Sequence, residues 1–63
     1  MKETDKIKCP CCGKSLVGEY DICVVCDWEN DPHQLNNPDL SGGANQMSLN
    51  QAKKAFAAGK QVK

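Results

Sequence analysis

The sequence predicts a small metal-stapled α+β domain: a zinc-ribbon-like β-hairpin carrying two Cys-x-x-Cys knuckles, then a long loop and one C-terminal helix. Three observations predict it. The chain has 63 residues with one Trp, one Tyr and one Phe, too little apolar mass to hold a fold by burial alone, so a staple is expected. Five cysteines stand at positions 9, 11, 12, 23 and 26, which makes two Cys-x-x-Cys units with ten residues between them. Ser48-Leu49-Asn50-Gln51 has the form of a helix capping box ahead of an amphipathic run.

The opening residues, Met1-Lys2-Glu3-Thr4-Asp5-Lys6, are polar, and 1–6 are expected to be flexible. They lack the apolar run of a signal peptide, and no later segment approaches the roughly 20 apolar residues of a membrane span. A cytoplasmic chain with no membrane association is the expectation. In a reducing compartment, regularly spaced cysteines read as metal ligands before they read as disulfides.

A single domain over residues 7–58 is expected, divided into a ribbon (7–28), a loop (29–47) and a helix (48–58). In the ribbon, a Cys-x-x-Cys turn brings two thiolates to one tetrahedral ion while backbone N–H groups face the sulfur, and two such turns complete a four-coordinate shell. Cys9, Cys12, Cys23 and Cys26 are therefore the expected ligands of one Zn²⁺, with iron as the alternative metal. Pro10 starts the first turn, and Gly13 supplies a positive φ at its exit. Asp27 holds the corresponding exit of the second turn and tolerates left-handed geometry. The ten intervening residues suit a hairpin, with strands at 14–17 and 20–23 joined by Gly18-Glu19 in a type II′ turn. Cys11 is left over and is read as a partly buried free thiol, although it can in principle replace a neighbouring ligand.

The stretch from 29 to 47 is dense in Asn, Asp, Pro and Gly and reads as an ordered wrap pinned at Leu35, Leu40 and Met47. Trp28 is expected to cover the metal turn or the helix as core. His33 has no serine, carboxylate pair or second histidine arranged around it and reads as a surface residue. Gly42-Gly43-Ala44-Asn45 lacks the Lys-Ser/Thr of a phosphate loop and reads as a tight turn. Leu49, Ala52, Ala55 and Phe56 share one face of the helix. Gly59 suits the C′ position and Lys60 the negative end of the helix dipole, and residues 59–63 are expected to fray.

Eight lysines balance eight acidic residues, and Arg is absent. The balance is striped: residues 1–14 sum to +2, residues 48–63 to +4, and the six carboxylates from Glu19 to Asp39 have no basic residue among them. Zero net charge and no Arg disfavour a nucleic-acid binder.

The segments Cys9-Pro10-Cys11-Cys12-Gly13, Tyr20-Asp21-Ile22-Cys23-Val24-Val25-Cys26-Asp27-Trp28-Glu29, Gly42-Gly43-Ala44-Asn45 and Ser48-Leu49 closely resemble the bacterial cysteine-rich CPCC family, over about residues 7–57. Val24 stands where that family usually has proline, and Asp27 where it usually has an aromatic residue. The resemblance implies a small zinc-ribbon-like protein. Some relatives carry the label hydrolase and some accompany toxin and immunity genes, but no catalytic motif is present here.

A non-enzymatic interaction module follows as the expected function. It would engage a protein partner through the acidic loop and the helix face, with Trp28, Glu29 and Asp31 as the candidate contacts. The alternatives are a rubredoxin-like iron electron carrier and a nucleic-acid-binding zinc ribbon.

Overall fold

The computed structural model describes residues 6–62; all but Lys6 of the expected flexible segment 1–6, and the last residue of the tail, Lys63, lie outside the described residues. Strand β1 (Ile7–Lys8) pairs antiparallel with β2 (Leu16–Val17), with Ile7 opposite Val17 and Lys8 opposite Leu16. The hairpin therefore encloses the first knuckle. This corrects the expected pairing of 14–17 with 20–23.

The reason lies in how each knuckle closes. The Cys9 N–H donates to the Ser15 carbonyl (2.8 Å), and the Gly13 N–H donates back to the Cys9 carbonyl (2.8 Å). The second unit repeats this pattern: the Cys23 N–H donates to the Trp28 carbonyl and the Asp27 N–H to the Cys23 carbonyl, both at 2.9 Å. An isolated antiparallel bridge joins Ile22 to Glu29. Each metal turn thus sits inside its own short antiparallel pairing, and the two exit residues have nearly equal backbone angles, φ 70° at Gly13 and φ 69° at Asp27.

Between the two units the chain turns at Gly18 to Asp21, where the Asp21 N–H donates to the Gly18 carbonyl and the Asp21 carboxylate accepts the Gly18 N–H. The left-handed residue there is Tyr20 (φ 61°) rather than Gly18, so the turn is not type II′. It sends the chain forward, and Tyr20 and Asp21 pair with Asn30.

Helix α1 (Pro32–Asn36) was not expected from the turn-rich sequence. Pro32 occupies its first turn, and Asp31 caps it by accepting the His33 N–H at 2.8 Å. Gln34, fully buried, organises the loop that follows. Its amide NH₂ is shared among the carbonyls of Leu40 (3.0 Å), Asn45 (3.0 Å) and Met47 (2.9 Å). Its oxygen accepts from the Asn45 backbone and side chain. Gly42 turns the loop with φ 81°. A Cβ on Gly43 would lie 2.7 Å from Asp31 Oδ2 and 3.0 Å from Gln34, so only glycine lets the loop close against α1.

Helix α2 (Leu49–Ala57) carries the expected capping box: Ser48 Oγ accepts the Gln51 N–H, and Gln51 Oε1 accepts the Ser48 N–H. At its end Gly59 is left-handed, its N–H donates to Phe56 and that of Lys60 to Ala55, the pattern of a Schellman cap. Leu49, Ala52 and Ala55 face inward and join Cys9, Val17, Cys23, Cys26 and Trp28 in one core. Val62 belongs to that core at 2 % exposure. The tail beyond Gly59, expected to fray, is therefore held down at Val62 by apolar burial.

Candidate metal centre

The two knuckles bring the sulfurs of Cys9, Cys12, Cys23 and Cys26 within 4.8 Å of one another. Cys9 Sγ lies 3.6 Å from Cys26 Sγ, and Cys12 Sγ lies 3.6 Å from Cys23 Sγ. Both short edges therefore cross from one knuckle to the other. A metal–thiolate bond of about 2.3 Å in a tetrahedral shell implies sulfur–sulfur edges of about 3.8 Å. The observed group fits that size, and a disulfide, with sulfurs about 2.05 Å apart, does not. Four cysteines are thus positioned to bind one metal ion.

Thiolates this close repel one another, so the surroundings matter. Burial would raise the Cys23 thiol, but the Ser15 hydroxyl 2.9 Å away outweighs it together with the Cys26 and Val25 N–H groups and the Cys12 thiol. The Cys23 pKa falls to about 6. Cys26 is pushed up, first by burial and then by the neighbouring Cys9, Cys23 and Cys12, with only the Trp28 N–H opposing them. Cys12 is also raised, chiefly by burial, against the N–H of Lys14 at 3.4 Å. The site therefore favours the thiolate at Cys23, while Cys12 and Cys26 would have to give up their protons to hold a cation. Backbone N–H groups on the second residue past Cys12, Cys23 and Cys26 face their sulfurs.

Cys11 stands outside the group of four. It is half-buried against the core, and its thiol is raised, first by that burial. Of the other candidate residues, Trp28 is completely buried, so it packs beneath the knuckles and offers no surface to a partner. Asp31 is 5 % exposed, and its carboxylate is used inside the fold, accepting from His33 and from the Ala44 N–H (3.0 Å). Those bonds, the Ala44 bond first, hold its carboxyl below the usual range. The interaction role expected of Trp28 and Asp31 is thus taken over by packing and capping. Glu29 remains half-buried at the surface beside exposed Asp27, and His33 is exposed as expected.

Three residues that matter here were not singled out in the sequence. Ser15 carries no motif that would reveal its contact with Cys23. Gln34 lies in a stretch with no helical periodicity. Asn45 was visible only as the end of the Gly-Gly-Ala-Asn turn; its side chain accepts the Glu29 N–H (3.0 Å) and donates to the Glu29 carbonyl (2.8 Å), pairing with Glu29 as a neighbouring strand would.

Residues 7–59 match the family model described as Cysteine-rich CPCC, and the chain belongs to that family. No curated protein matches it significantly. Among the described residues no helix is long and apolar enough to cross a membrane.

Proposed function

We propose that the chain is a zinc-stapled, zinc-ribbon-like interaction module of the cytoplasm, in which Cys9, Cys12, Cys23 and Cys26 hold one structural Zn²⁺ and the acidic surface engages a protein partner. The observation that supports the metal reading is the group of four sulfurs, all within 4.8 Å. When bound, the ion would offset two of the four thiolate charges, leaving the site at about −2, and staple the two knuckles. A four-thiolate shell leaves no position for water, so it supports a structural rather than a hydrolytic role.

On the protein side, the acidic stripe is now narrower. With Asp31 internal, the carboxylates left at the surface directly after the second knuckle are Asp27 and Glu29. Ile22 (58 %), which lines one cleft with them, exposes an apolar side chain, and Val24 (88 %) does so within the second knuckle. Exposed apolar groups beside surface carboxylates favour a protein surface over nucleic acid, which would need a basic face.

Native mass spectrometry of the protein as isolated tests the metal half. One zinc per chain and a colourless solution support it, and one iron with thiolate-to-metal absorption would replace it by an iron carrier. Retention of full secondary structure after verified metal removal would show that the metal is no staple. For the partner half, pull-down from native lysate should enrich a protein whose binding weakens with salt; salt-independent binding would remove the acidic surface from the account.

A further inference from the structure

Between the exit of the second knuckle and the loop before α2 lies an open cleft of about 430 Å³, lined by Ile22, Asp27, Glu29, Ala44, Asn45 and Gln46. We propose that this cleft is a docking groove for a basic segment of a partner protein, with the carboxylates of Asp27 and Glu29 taking a Lys or Arg side chain and Ile22 taking the apolar residue beside it. The proposal rests on the reading of the chain as an interaction module, and it names the place and the chemistry.

Charge and shape both point to this occupant. Among the described residues the lining carries two carboxylates and no basic side chain, so an anionic partner is repelled and a cationic one attracted. The volume lies within the roughly 300–1,000 Å³ typical of binding pockets. Ile22 is 58 % exposed on one wall and Ala44 is exposed on the other, so an apolar side chain gains contact where a free cation would not. A long Lys or Arg stem can pack on Ile22 while its charged end reaches the carboxylates.

The groove is also held in shape before anything binds. Asn45, 4 % exposed, has its oxygen on the Glu29 N–H and its NH₂ on the Glu29 carbonyl and Gln34. Glu29 is bridged on its other side to Ile22. Asp27 is set by its left-handed backbone at the knuckle exit. A pre-formed groove loses less freedom on binding.

The test uses the full zinc-loaded chain, ¹⁵N-labelled, titrated with a capped Leu-Lys-Leu-Lys peptide at low salt, with a Leu-Glu-Leu-Glu peptide and lysine amide alone as controls. The expected result is saturable shifts at the amides of 22, 27–29 and 44–46 with the lysine peptide only. Asp27→Asn and Glu29→Gln should each weaken binding roughly two- to fivefold, and Ile22→Ser should weaken the peptide without affecting its charge dependence. Circular dichroism confirms that each variant is folded.

Binding of the lysine peptide at Glu19, Asp21 or Asp39, with the cleft amides unmoved, overturns the groove while leaving the acidic-surface reading standing. No binding anywhere at low salt overturns both. Equal binding of lysine amide would make the site one for small cations. Shifts that depend on protein concentration alone would assign the face to a second copy of the chain. Either of the last two outcomes also overturns the proposal.

Discussion

Acidification is expected to expel the metal and unfold the chain in one steep step near pH 4–5. Thiols of an unfolded chain titrate near about 8.5, so at neutral pH and below they carry their protons. The four sulfurs of the site carry none when bound. Unfolding with metal loss therefore takes up four protons, and the stability falls by about 5.4 kcal/mol per pH unit. The bound thiols have depressed pKa values, so their contribution is present above the transition and lost as the pH falls. If a structural zinc supplies about 10 to 16 kcal/mol near pH 7, two to three units of acid exhaust it. Asp31 does not cause this step: its carboxyl is held below the usual range, so its share of stability is lost only at still lower pH. The assay combines far-UV circular dichroism with elemental analysis of the ultrafiltered protein at each pH, and a chelator-competition affinity between pH 6 and 7.5. That affinity should fall about 10⁴-fold per unit if the metal-free chain is unfolded. A folded metal-free chain would give a shallower slope, because Cys23 is already ionised above about pH 6 there. Metal retained below pH 3, or release that follows a single proton, would refute the reasoning.

Replacing Trp28 separates volume from polarity. Its Nε1–H has no acceptor among the described residues, so Trp28→Phe removes an unpaired donor as it loses volume and should cost under about 2 kcal/mol in a zinc-loaded melt, against about 3–5 for Trp28→Ala. A Phe variant as unstable as the Ala variant would show that the indole N–H is engaged. Gly43→Ala should cost about 1–3 kcal/mol, because the new methyl meets Asp31 and Gln34 at 2.7 and 3.0 Å and both are locked by hydrogen bonds; a change within 0.5 of wild type on the same melt would contradict that packing. Ser15→Ala should weaken metal affinity about 10- to 100-fold at pH 7 by removing the hydroxyl 2.9 Å from Cys23. A less than twofold change in chelator competition would show that this contact is idle.

What could be read from the residues in advance was whatever depends on short spacing. Two Cys-x-x-Cys units can each converge on a point, because three residue steps of backbone keep the thiols close when the chain turns, and the four sulfurs do meet. Ser48 and Gln51 are three residues apart and satisfy each other across one turn of helix, so α2 was legible with both its caps. The hairpin was not, because strand pairing is set by which carbonyl the Cys9 N–H finds, and that carbonyl belongs to Ser15. Nothing in the composition of residues 14–17 distinguishes pairing with 7–8 from pairing with 20–23. Gln34 and Asn45 were hidden for a related reason. Each is a polar residue in a polar stretch, and its burial follows from contacts eleven residues away, where sequence periodicity carries no signal.

The two stabilising devices of the fold meet at one place, and that meeting ties the metal to the surface. The first half of the chain is held by the knuckles. The loop from 38 to 47 is held by Gln34, Asp31 and Asn45. Trp28 donates its N–H toward Cys26 while its carbonyl accepts from Cys23, and the next residue, Glu29, is the one that Asn45 grips from the loop. Asp27, immediately after Cys26, takes the left-handed bend that ends the knuckle. The two carboxylates that follow the second knuckle, Asp27 and Glu29, are thus placed by backbone that the knuckle closes and the loop clamps. An ion bound at the four sulfurs would set the position of Asp27 and Glu29 without touching either of them. On the proposed reading of the cleft as a docking groove, a purely structural metal bears on recognition: with the knuckle open, Asn45 would have no fixed strand to grip and the acidic cleft would lose its second wall.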